Sequence, residues 1–268
     1  MRTRKATEAI DQDRRRLLDT ATMGIAVAGT ASLLESHAGS AQEVTGNKLK
    51  PRQRSKGEDA MATHTYEKDI TALLVVDPYN DFISEGGKIW NRIRAVAEAN
   101  DCVPHMLQVL HAARKAKLRV FYAMHHRYRP GDYETWKYIA PIQKAAWKSK
   151  VFEYGTWGGE IRAEFEPKPG EIVAADHWCS SGFANTDLDM QFKNYGIHQL
   201  IVIGLIAHTC IEATVRFAAE LGYDITVVKD ATADYSDEEM RAALEVNIPN
   251  YASAIVSTEE IVASISAL

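Results

Sequence analysis

The run Ile70-Thr71-Ala72-Leu73-Leu74-Val75-Val76, closed by Asp77-Pro78, decides the fold. A nearly continuous apolar run of this length is typical of a strand that is buried on both faces of a parallel sheet. Similar runs recur at Arg119–Met124, Glu171–Ala175, Gln199–Ile203 and Asp224–Val228, with a weaker one at Ala254–Ser257. The chain is therefore predicted to build a sheet of mostly parallel strands.

Segments with helical periodicity alternate with these strands, at Ile93–Ala116, Asp187–Tyr195, Thr209–Leu221 and Asp237–Asn247. Alternation of strands and helices is the pattern of a sheet with helices on both faces. The predicted fold class is α/β, with three layers (α-β-α) and a doubly wound, mostly parallel sheet. In such a sheet, ligands bind at the carboxyl ends of the strands, near the point where the strand order reverses.

The composition is that of an ordinary globular protein: 46% of the 268 residues are apolar and 25% are charged, with a formal net charge of −5. Basic residues cluster only in the first sixteen positions, so no nucleic-acid partner is predicted. The three cysteines, Cys102, Cys179 and Cys210, match neither a disulfide framework nor a zinc-ligand spacing. Such a cysteine is ordinarily a small buried apolar residue, so its reactivity must be argued from its surroundings.

The N-terminal residues carry the pattern of an export signal. Arginines at positions 14 to 16 precede two leucines, a weakly apolar run at Met23–Leu34 and the small residues Ala38-Gly39-Ser40-Ala41. This order resembles a twin-arginine (Tat) signal, with an amphipathic or disordered basic tail as the alternative. We therefore expect a Tat-like export signal at 1–41, a flexible linker at 42–65 and the folded domain at 66–268. The mature protein would be periplasmic or secreted and without a membrane partner, or cytoplasmic if this segment is not a functional signal.

Three polar residues stand at predicted strand ends, namely Asp77, His177 and Cys210. Cys210 opens a helix, where unpaired N–H groups and the helix dipole favour a thiolate and can also hold an oxyanion. Asp77 can exchange a proton with a neighbouring group, although an aspartate before proline is often only a turn cap. His177 can hold or protonate a thiolate, although a lone histidine is more often structural.

Other residues near these strand ends are interpreted more cautiously. Asp81 is assigned to holding its loop rather than to reacting. His125 and His126 are adjacent and point to opposite sides of an extended chain, so they make a poor metal pair, and neither a metal nor a cofactor is predicted. Five loop aromatics are candidate walls of a pocket for a small-molecule substrate, with ordinary packing as the alternative: Tyr79, Tyr128, Trp157, Trp178 and Phe183.

Three segments, taken in this order and spacing, resemble the isochorismatase-like hydrolases, a superfamily that includes nicotinamidases, ureidoacrylate hydrolases and N-carbamoyl amidases. The segments are Leu73–Phe82, Ser181–Leu188 and Gly204–Thr214, and the resemblance extends from about Thr71 to Ser257. It implies that 66–268 is an isochorismatase-like hydrolase domain that works by a cysteine–aspartate–lysine triad. It also implies a homodimer or a homotetramer.

Carried over to this chain, the triad makes Cys210 the nucleophile and Asp77 its proton partner. Cys210 would attack a carbonyl carbon, Asp77 would pass the thiol proton to the leaving amine, and water would then hydrolyse the thioester. The backbone N–H groups of Ile206 and Cys210 would form the oxyanion hole. The family's non-proline cis peptide would fall at Leu205–Ile206.

The family's lysine position falls on His177, which departs from the family pattern. Three interpretations remain open: a working Cys-His-Asp variant, replacement by a lysine elsewhere such as Lys148 or Lys150, or a degenerate site. The retained Cys210 and Asp77 favour the first. Imidazole supplies a positive charge only when it is protonated, although neutral imidazole still forms hydrogen bonds.

The retained thiol also bears on the reaction. Family members that cleave the vinyl ether of isochorismate do not need the cysteine, so Cys210 favours hydrolysis of a C–N bond in an amide, carbamoyl or lactam group. Two alternatives stay open, namely an isochorismatase-type vinyl-ether hydrolase and a catalytically inactive, ligand-binding member of the fold.

Overall fold

A computed structural model describes residues 64–268 of the chain. The predicted export signal (1–41) and the predicted linker up to residue 63 lie outside the described residues. Within residues 64–268, one sheet contains six strands: β1 (Thr71–Val76), β2 (Arg119–Ala123), β3 (Ile172–Val173), β4 (Gln199–Gly204), β5 (Asp224–Val228) and β6 (Ala254–Val256). Their order is β3-β2-β1-β4-β5-β6 and every pairing is parallel, which confirms the predicted doubly wound sheet.

Eight α-helices lie in the same part of the chain: α1 (Asn80–Ile83), α2 (Trp90–Ala99), α3 (Cys102–Ala116), α4 (Pro141–Lys148), α5 (Leu188–Asn194), α6 (Glu212–Glu220), α7 (Asp237–Arg241) and α8 (Thr258–Ser266). Short π-helical turns occupy Ala207–Ile211 and Ala242–Asn247, and single 3-10 turns lie at Trp157–Gly159, Ala163–Phe165 and Ile248–Asn250. Among residues 64–268, no helix is both long enough and apolar enough to cross a membrane.

Strand β1 is the centre of the sheet. Residues 72–76 pair in register with β2, and residues 71–76 pair in register with β4. All six side chains of β1 are fully buried. The single polar one, Thr71, donates its hydroxyl to the carbonyl of Glu67 (2.6 Å). The opening run of the sequence therefore forms a strand that is covered on both faces and paired at both edges.

The strand order reverses between β1 and β4. The chain leaves β1 toward β2 on one side and leaves β4 toward β5 on the other. Because parallel crossovers are right-handed, these two connections place helices α3 and α6 on opposite faces of the sheet. The carboxyl ends of β1 and β4 therefore border a crevice, which is where doubly wound sheets bind their ligands.

The structure differs from the sequence-based boundaries in several places. The helix predicted at Ile93–Ala116 is two helices, because Asp101 adopts a left-handed conformation (φ 50°) between α2 and α3. The strand predicted at Glu171–Ala175 shortens to Ile172–Val173, because this edge strand pairs only with β2 and Val173 is 47% exposed. Three helices, α1, α4 and α8, were not among the predicted segments.

The close approach of β1 and β4 can be tested at Gly204, which ends β4 with φ +126°. A Cβ at this glycine would lie 2.1 Å from the carbonyl oxygen of Val76. Gly204→Ala is expected to lower the free energy of unfolding by about 2–4 kcal/mol. The cost of the strained backbone conformation adds to the cost of the steric clash with the Val76 backbone. The matched control is Gly196→Ala, where φ is also positive (+67°) but the surroundings are open; we expect a loss of about 1 kcal/mol there. Urea unfolding measures both, and equal losses would contradict a limiting contact at Gly204.

Candidate active site

Asp77 follows β1 at the crevice and is fully buried. Its backbone is left-handed (φ 53°), a conformation that costs energy for a residue with a side chain. Oδ1 accepts hydrogen bonds from the backbone N–H of His125 (2.6 Å) and from Nε2 of His177 (3.2 Å). Oδ2 has no hydrogen-bond partner among the described residues. One carboxylate oxygen is therefore fixed, and the other is available.

His177 is positioned by an extension of the pairing between β2 and β3. Its backbone N–H donates to the carbonyl of Met124 (2.9 Å), and its carbonyl accepts from the N–H of His126 (2.8 Å). The imidazole is fully buried, and its Nδ1 has no partner within residues 64–268. The structure thus brings the predicted histidine into contact with the predicted aspartate.

His125 packs against His177, with ring centroids 5.3 Å apart. Burial, and then the neighbouring His177, lower the pKa of His125 to about 4, so this ring is neutral at pH 7. The next residue, His126, instead pairs with Asp132 (2.9 Å). In the part of the chain that the structure describes, no group of three or more His, Cys, Asp or Glu side chains is placed to hold a metal ion.

Cys210 lies in the π-helical turn Ala207–Ile211, between β4 and α6. The peptide bond Leu205–Ile206 is cis, at the position that the resemblance predicts. The backbone N–H of Leu205 donates to the carbonyl of Val76 (3.2 Å), so this turn begins beside the residue that precedes Asp77. Cys210 is only 6% exposed. The three predicted residues Asp77, His177 and Cys210 therefore meet at one edge of the sheet.

The resting state of the Cys210 thiol is protonated. Burial, and then the negative charge of Asp77, raise the pKa of the Cys210 thiol well above its usual value. Hydrogen bonds from the Thr209 hydroxyl and the Ile206 backbone N–H lower this pKa but are outweighed. The expectation that the start of a helix favours a thiolate therefore does not hold for the resting site. The proton must pass to a base as the sulfur reacts.

Neither lysine considered as a replacement for the family lysine reaches Asp77. Lys148 is exposed at the end of α4. Lys150 is exposed and pairs with Glu153 (3.7 Å). The basic side chain that contacts the Asp77 carboxylate, among residues 64–268, is that of His177.

Asp81 holds the loop that follows β1, as the sequence indicated. Its Oδ1 accepts from the backbone N–H of Lys88 (3.0 Å) and its Oδ2 from that of Phe152 (2.7 Å). Gly158 packs so closely that a Cβ there would lie 2.2 Å from Oδ1. Because both oxygens of Asp81 are committed to backbone groups, this carboxylate is not available to react.

A cavity of about 320 Å³ opens beside Cys210. Its end at the sulfur is formed by Ile206, Thr209 and Cys210. The remaining lining combines apolar and polar side chains, including Phe82, Ile89, Phe152, Arg92, Gln143, His208 and Tyr235. A space of this volume, mostly apolar with a few polar groups, fits a small molecule.

The five aromatic residues suggested as pocket walls do not line this cavity: Tyr79, Tyr128, Trp157, Trp178 and Phe183. Phe183 packs in the apolar core, and Tyr128 stacks on Tyr133. Trp178 stacks on His126, with centroids 3.7 Å apart. Tyr79 is buried and donates its hydroxyl to the carbonyl of His125 (2.7 Å), whereas Trp157 is 55% exposed. Four of these rings therefore pack against other parts of the protein, which was the alternative to a role in the pocket.

Two residues that line the cavity, His208 and Tyr235, were not predicted. The fully buried Asp234 holds His208 at two points: Oδ1 lies 2.6 Å from Nδ1, and Oδ2 accepts the backbone N–H (2.8 Å). Asp234 lies six positions beyond the end of β5 and His208 lies four positions beyond the end of β4, whereas Asp77 follows β1 directly. A search of the whole loop after each strand, rather than of its first residue alone, would have found them.

Asp77→Asn is expected to lower the pKa of Cys210, because the carboxylate's charge is among the causes that raise it. In the wild type the thiolate forms only at alkaline pH, and the midpoint moves to lower pH in the variant. Asparagine tolerates the left-handed backbone, so the turn is kept. Ultraviolet thiolate absorbance, with that of Cys210→Ala subtracted, follows the titration. An unchanged midpoint would contradict the contact between Asp77 and the sulfur.

Residues 71–260 match the Isochorismatase domain family. The chain is 29% identical over 191 residues to the ureidoacrylate amidohydrolase RutB of Pantoea ananatis, covering 68% of this chain and 76% of that protein. It is 26% identical over 229 residues to the ureidoacrylate amidohydrolase RutB of Rhizobium rhizogenes, covering 81% of this chain and 93% of that protein.

Solved structures share the fold. A cysteine hydrolase from Pseudomonas syringae pv. phaseolicola superposes with a TM-score of 0.65 at 23% identity, covering 76% of this chain and 96% of that one. N-carbamoylsarcosine amidase from Thermoplasma acidophilum superposes with a TM-score of 0.52 at 27% identity, covering 70% and 96%. With its sheet order, its crevice and the match over residues 71–260, the chain belongs to the isochorismatase family of hydrolases.

Proposed function

We propose that this chain, a hydrolase that acts on carbon–nitrogen bonds, cleaves an amide, carbamoyl or lactam group of a small molecule through a thioester on Cys210. The observation that carries the proposal is the placement of a buried thiol at a small-molecule cavity, near a buried carboxylate whose Oδ2 has no hydrogen-bond partner among residues 64–268. The similarity to an amidohydrolase and to an amidase supports the bond class.

In the first half-reaction, the Cys210 sulfur bonds to the carbonyl carbon while its proton passes to Oδ2 of Asp77. The carbonyl oxygen becomes an oxyanion, which the backbone N–H groups of Ile206 and Cys210 bind. The C–N bond then breaks as Asp77 gives the proton to the leaving nitrogen. The products of this half-reaction are a thioester on Cys210 and an amine.

In the second half-reaction, water attacks the thioester carbonyl and gives a proton to Asp77. The C–S bond breaks, the acid product leaves, and Asp77 returns the proton to the Cys210 sulfur. Because the surroundings raise the pKa of this thiol, the site returns to a neutral thiol beside a carboxylate. Each half-reaction therefore needs one base that can hold one proton.

His177 is the positioning residue in this scheme. Its Nε2 and the backbone N–H of His125 both donate to Oδ1 of Asp77. Two donors on one oxygen fix the carboxylate and leave Oδ2 as the oxygen that exchanges the proton. The imidazole thus does by hydrogen bonding what the family's lysine does with a fixed charge.

A panel of small ureas, amides and lactams, incubated with the full chain, tests the proposal. Cys210→Ala and Asp77→Asn are each expected to lower kcat by about a thousandfold or more, because both act on the reacting atoms. Cys102→Ala, which removes a buried thiol at the start of α3 that does not line the cavity, is the control and keeps the activity. Circular dichroism checks that each variant is folded. Mass spectrometry of acid-quenched single turnovers should find the acyl or carbamoyl group on Cys210.

Hydrolysis by Cys210→Ala at the wild-type rate would exclude the cysteine mechanism. If that activity were toward isochorismate, it would establish the vinyl-ether reaction instead.

The role of His177 has its own test, in which the donor to Oδ1 of Asp77 is either replaced or removed. His177→Gln and His177→Lys each keep a donor at this position and are expected to keep measurable activity, whereas His177→Ala removes the donor and loses activity. Initial rates measure the effect, and circular dichroism checks that each variant is folded. Wild-type activity in folded His177→Ala would show that His177 does not position the base.

A further inference from the structure

Two basic side chains, Arg92 and His208, line the cavity beside Cys210, and they belong to neither the nucleophile nor its base. We propose that Arg92 and His208 bind an anionic group of the substrate, so that the substrate is an amide or ureido compound that also bears a carboxylate. The inference rests on the proposed function for the reaction at Cys210, and it goes further by naming the substrate class.

Arg92 has the geometry of a cation held ready for a ligand. It lies in the first turn of α2, and its guanidinium stacks over the ring of Tyr235, 3.9 Å from the centroid. Stacking of this kind fixes the plane of the guanidinium and leaves its N–H edges free. Among residues 64–268, no carboxylate pairs with Arg92, whereas Arg94 on the same helix pairs with Glu98 (2.8 Å). The charge of Arg92 is therefore not neutralised by a carboxylate in the described part of the chain.

His208 is held in one orientation by Asp234, which takes both its Nδ1 and its backbone N–H. Only Nε2 remains to face a ligand. The bond to Asp234 raises the pKa of His208 against the opposing effect of burial, and the charges of Asp234, Glu239 and Glu212 act in the same direction. Protonated His208 presents an Nε2–H donor to the cavity.

The carboxylates of Glu212 and Glu239, near His208, form hydrogen bonds with other residues. Glu212 accepts from Arg216 (2.7 Å), and Glu239 accepts from the hydroxyl of Ser236 (2.9 Å). Neither carboxylate lines the cavity, and neither does Asp234. An incoming anion therefore meets Arg92 and the Nε2 edge of His208, not a carboxylate.

The proposed anion site lies in the same cavity as the sulfur. His208 stands two residues before Cys210 in the turn Ala207–Ile211. Arg92 stacks over Tyr235, and both of these residues line the cavity together with Cys210. The carbonyl to be cleaved thus reaches the sulfur while a carboxylate, separated by a short apolar linker, stays at Arg92.

The experiment compares matched ligands on the catalytically silent Cys210→Ala form of the full chain. The probes are N-carbamoylglycine, N-carbamoyl-β-alanine and N-carbamoyl-4-aminobutyrate, each beside its uncharged dimethylamide, with binding measured by calorimetry. At least one acid is expected to bind about 10- to 100-fold more tightly than its amide, the range for a hydrogen bond to a charged group. The preference is expected to disappear in Arg92→Gln, to persist partly in Arg92→Lys, and to weaken in His208→Gln. Arg94→Gln, on the same helix, is the control and keeps it.

The pH dependence follows from the direction of the His208 shift. A raised pKa means that the contribution of His208 is complete at low pH and is lost as the pH rises through that pKa, whereas the contribution of Arg92 persists. The acid preference is therefore expected to fall with rising pH in the wild-type background but not in His208→Gln.

Equal binding of acids and amides, or a preference that Arg92→Gln leaves unchanged, would overturn the anion site. The same compounds offered to the wild type separate the two proposals. Cys210-dependent hydrolysis of acids and amides at equal rates would keep the cysteine hydrolase and reject the anion site. Tighter binding of the acids with no hydrolysis of any amide, urea or lactam would keep the anion site and reject the proposed function.

Discussion

The pairing of β1 with β4 is the constraint on which the site depends. Gly204 allows the β4 backbone to approach Val76, and the N–H of Leu205 then bonds to the Val76 carbonyl. Asp77 is the next residue on one strand, and the turn that carries Cys210 begins on the other. The register of this one strand pair therefore sets the position of the carboxylate relative to the thiol. A slip of one residue would turn the side chains of the strand to the opposite face of the sheet.

The burial that stabilises this sheet also determines the protonation of the groups at its edge. The same surroundings raise the pKa of Cys210 and lower that of His125, so both are uncharged at rest. Charge separation in such a site is costly, and a proton that moves directly between sulfur and carboxylate avoids it. In the mechanism proposed above, each proton therefore moves over a hydrogen-bond distance between the sulfur, the carboxylate and the reacting groups.

The strands could be predicted from the sequence because apolar runs are local signals. The proximity of Asp77, His177 and Cys210 could be predicted because a doubly wound sheet brings the ends of its strands together. The residues that line the cavity could not be predicted. The cavity wall comes from α2, α4 and the loop after β5, and aromatic residues chosen by type pack elsewhere. The sequence also predicted the wrong direction for the pKa shift of Cys210. The start of a helix can be recognised in a sequence, whereas burial and the nearby carboxylate depend on the tertiary structure.

The left-handed backbone of Asp77 has a consequence for the history of the family. Only glycine, asparagine and aspartate adopt this conformation readily, so few residues can occupy the position without disturbing the turn after β1. A descendant that abandoned hydrolysis but kept this fold would carry Asn or Gly at position 77 more readily than Glu, Ala or Val. Among copies of the domain that keep this backbone, the residue at position 77 is therefore expected to distinguish those that can use the proposed base from those that cannot.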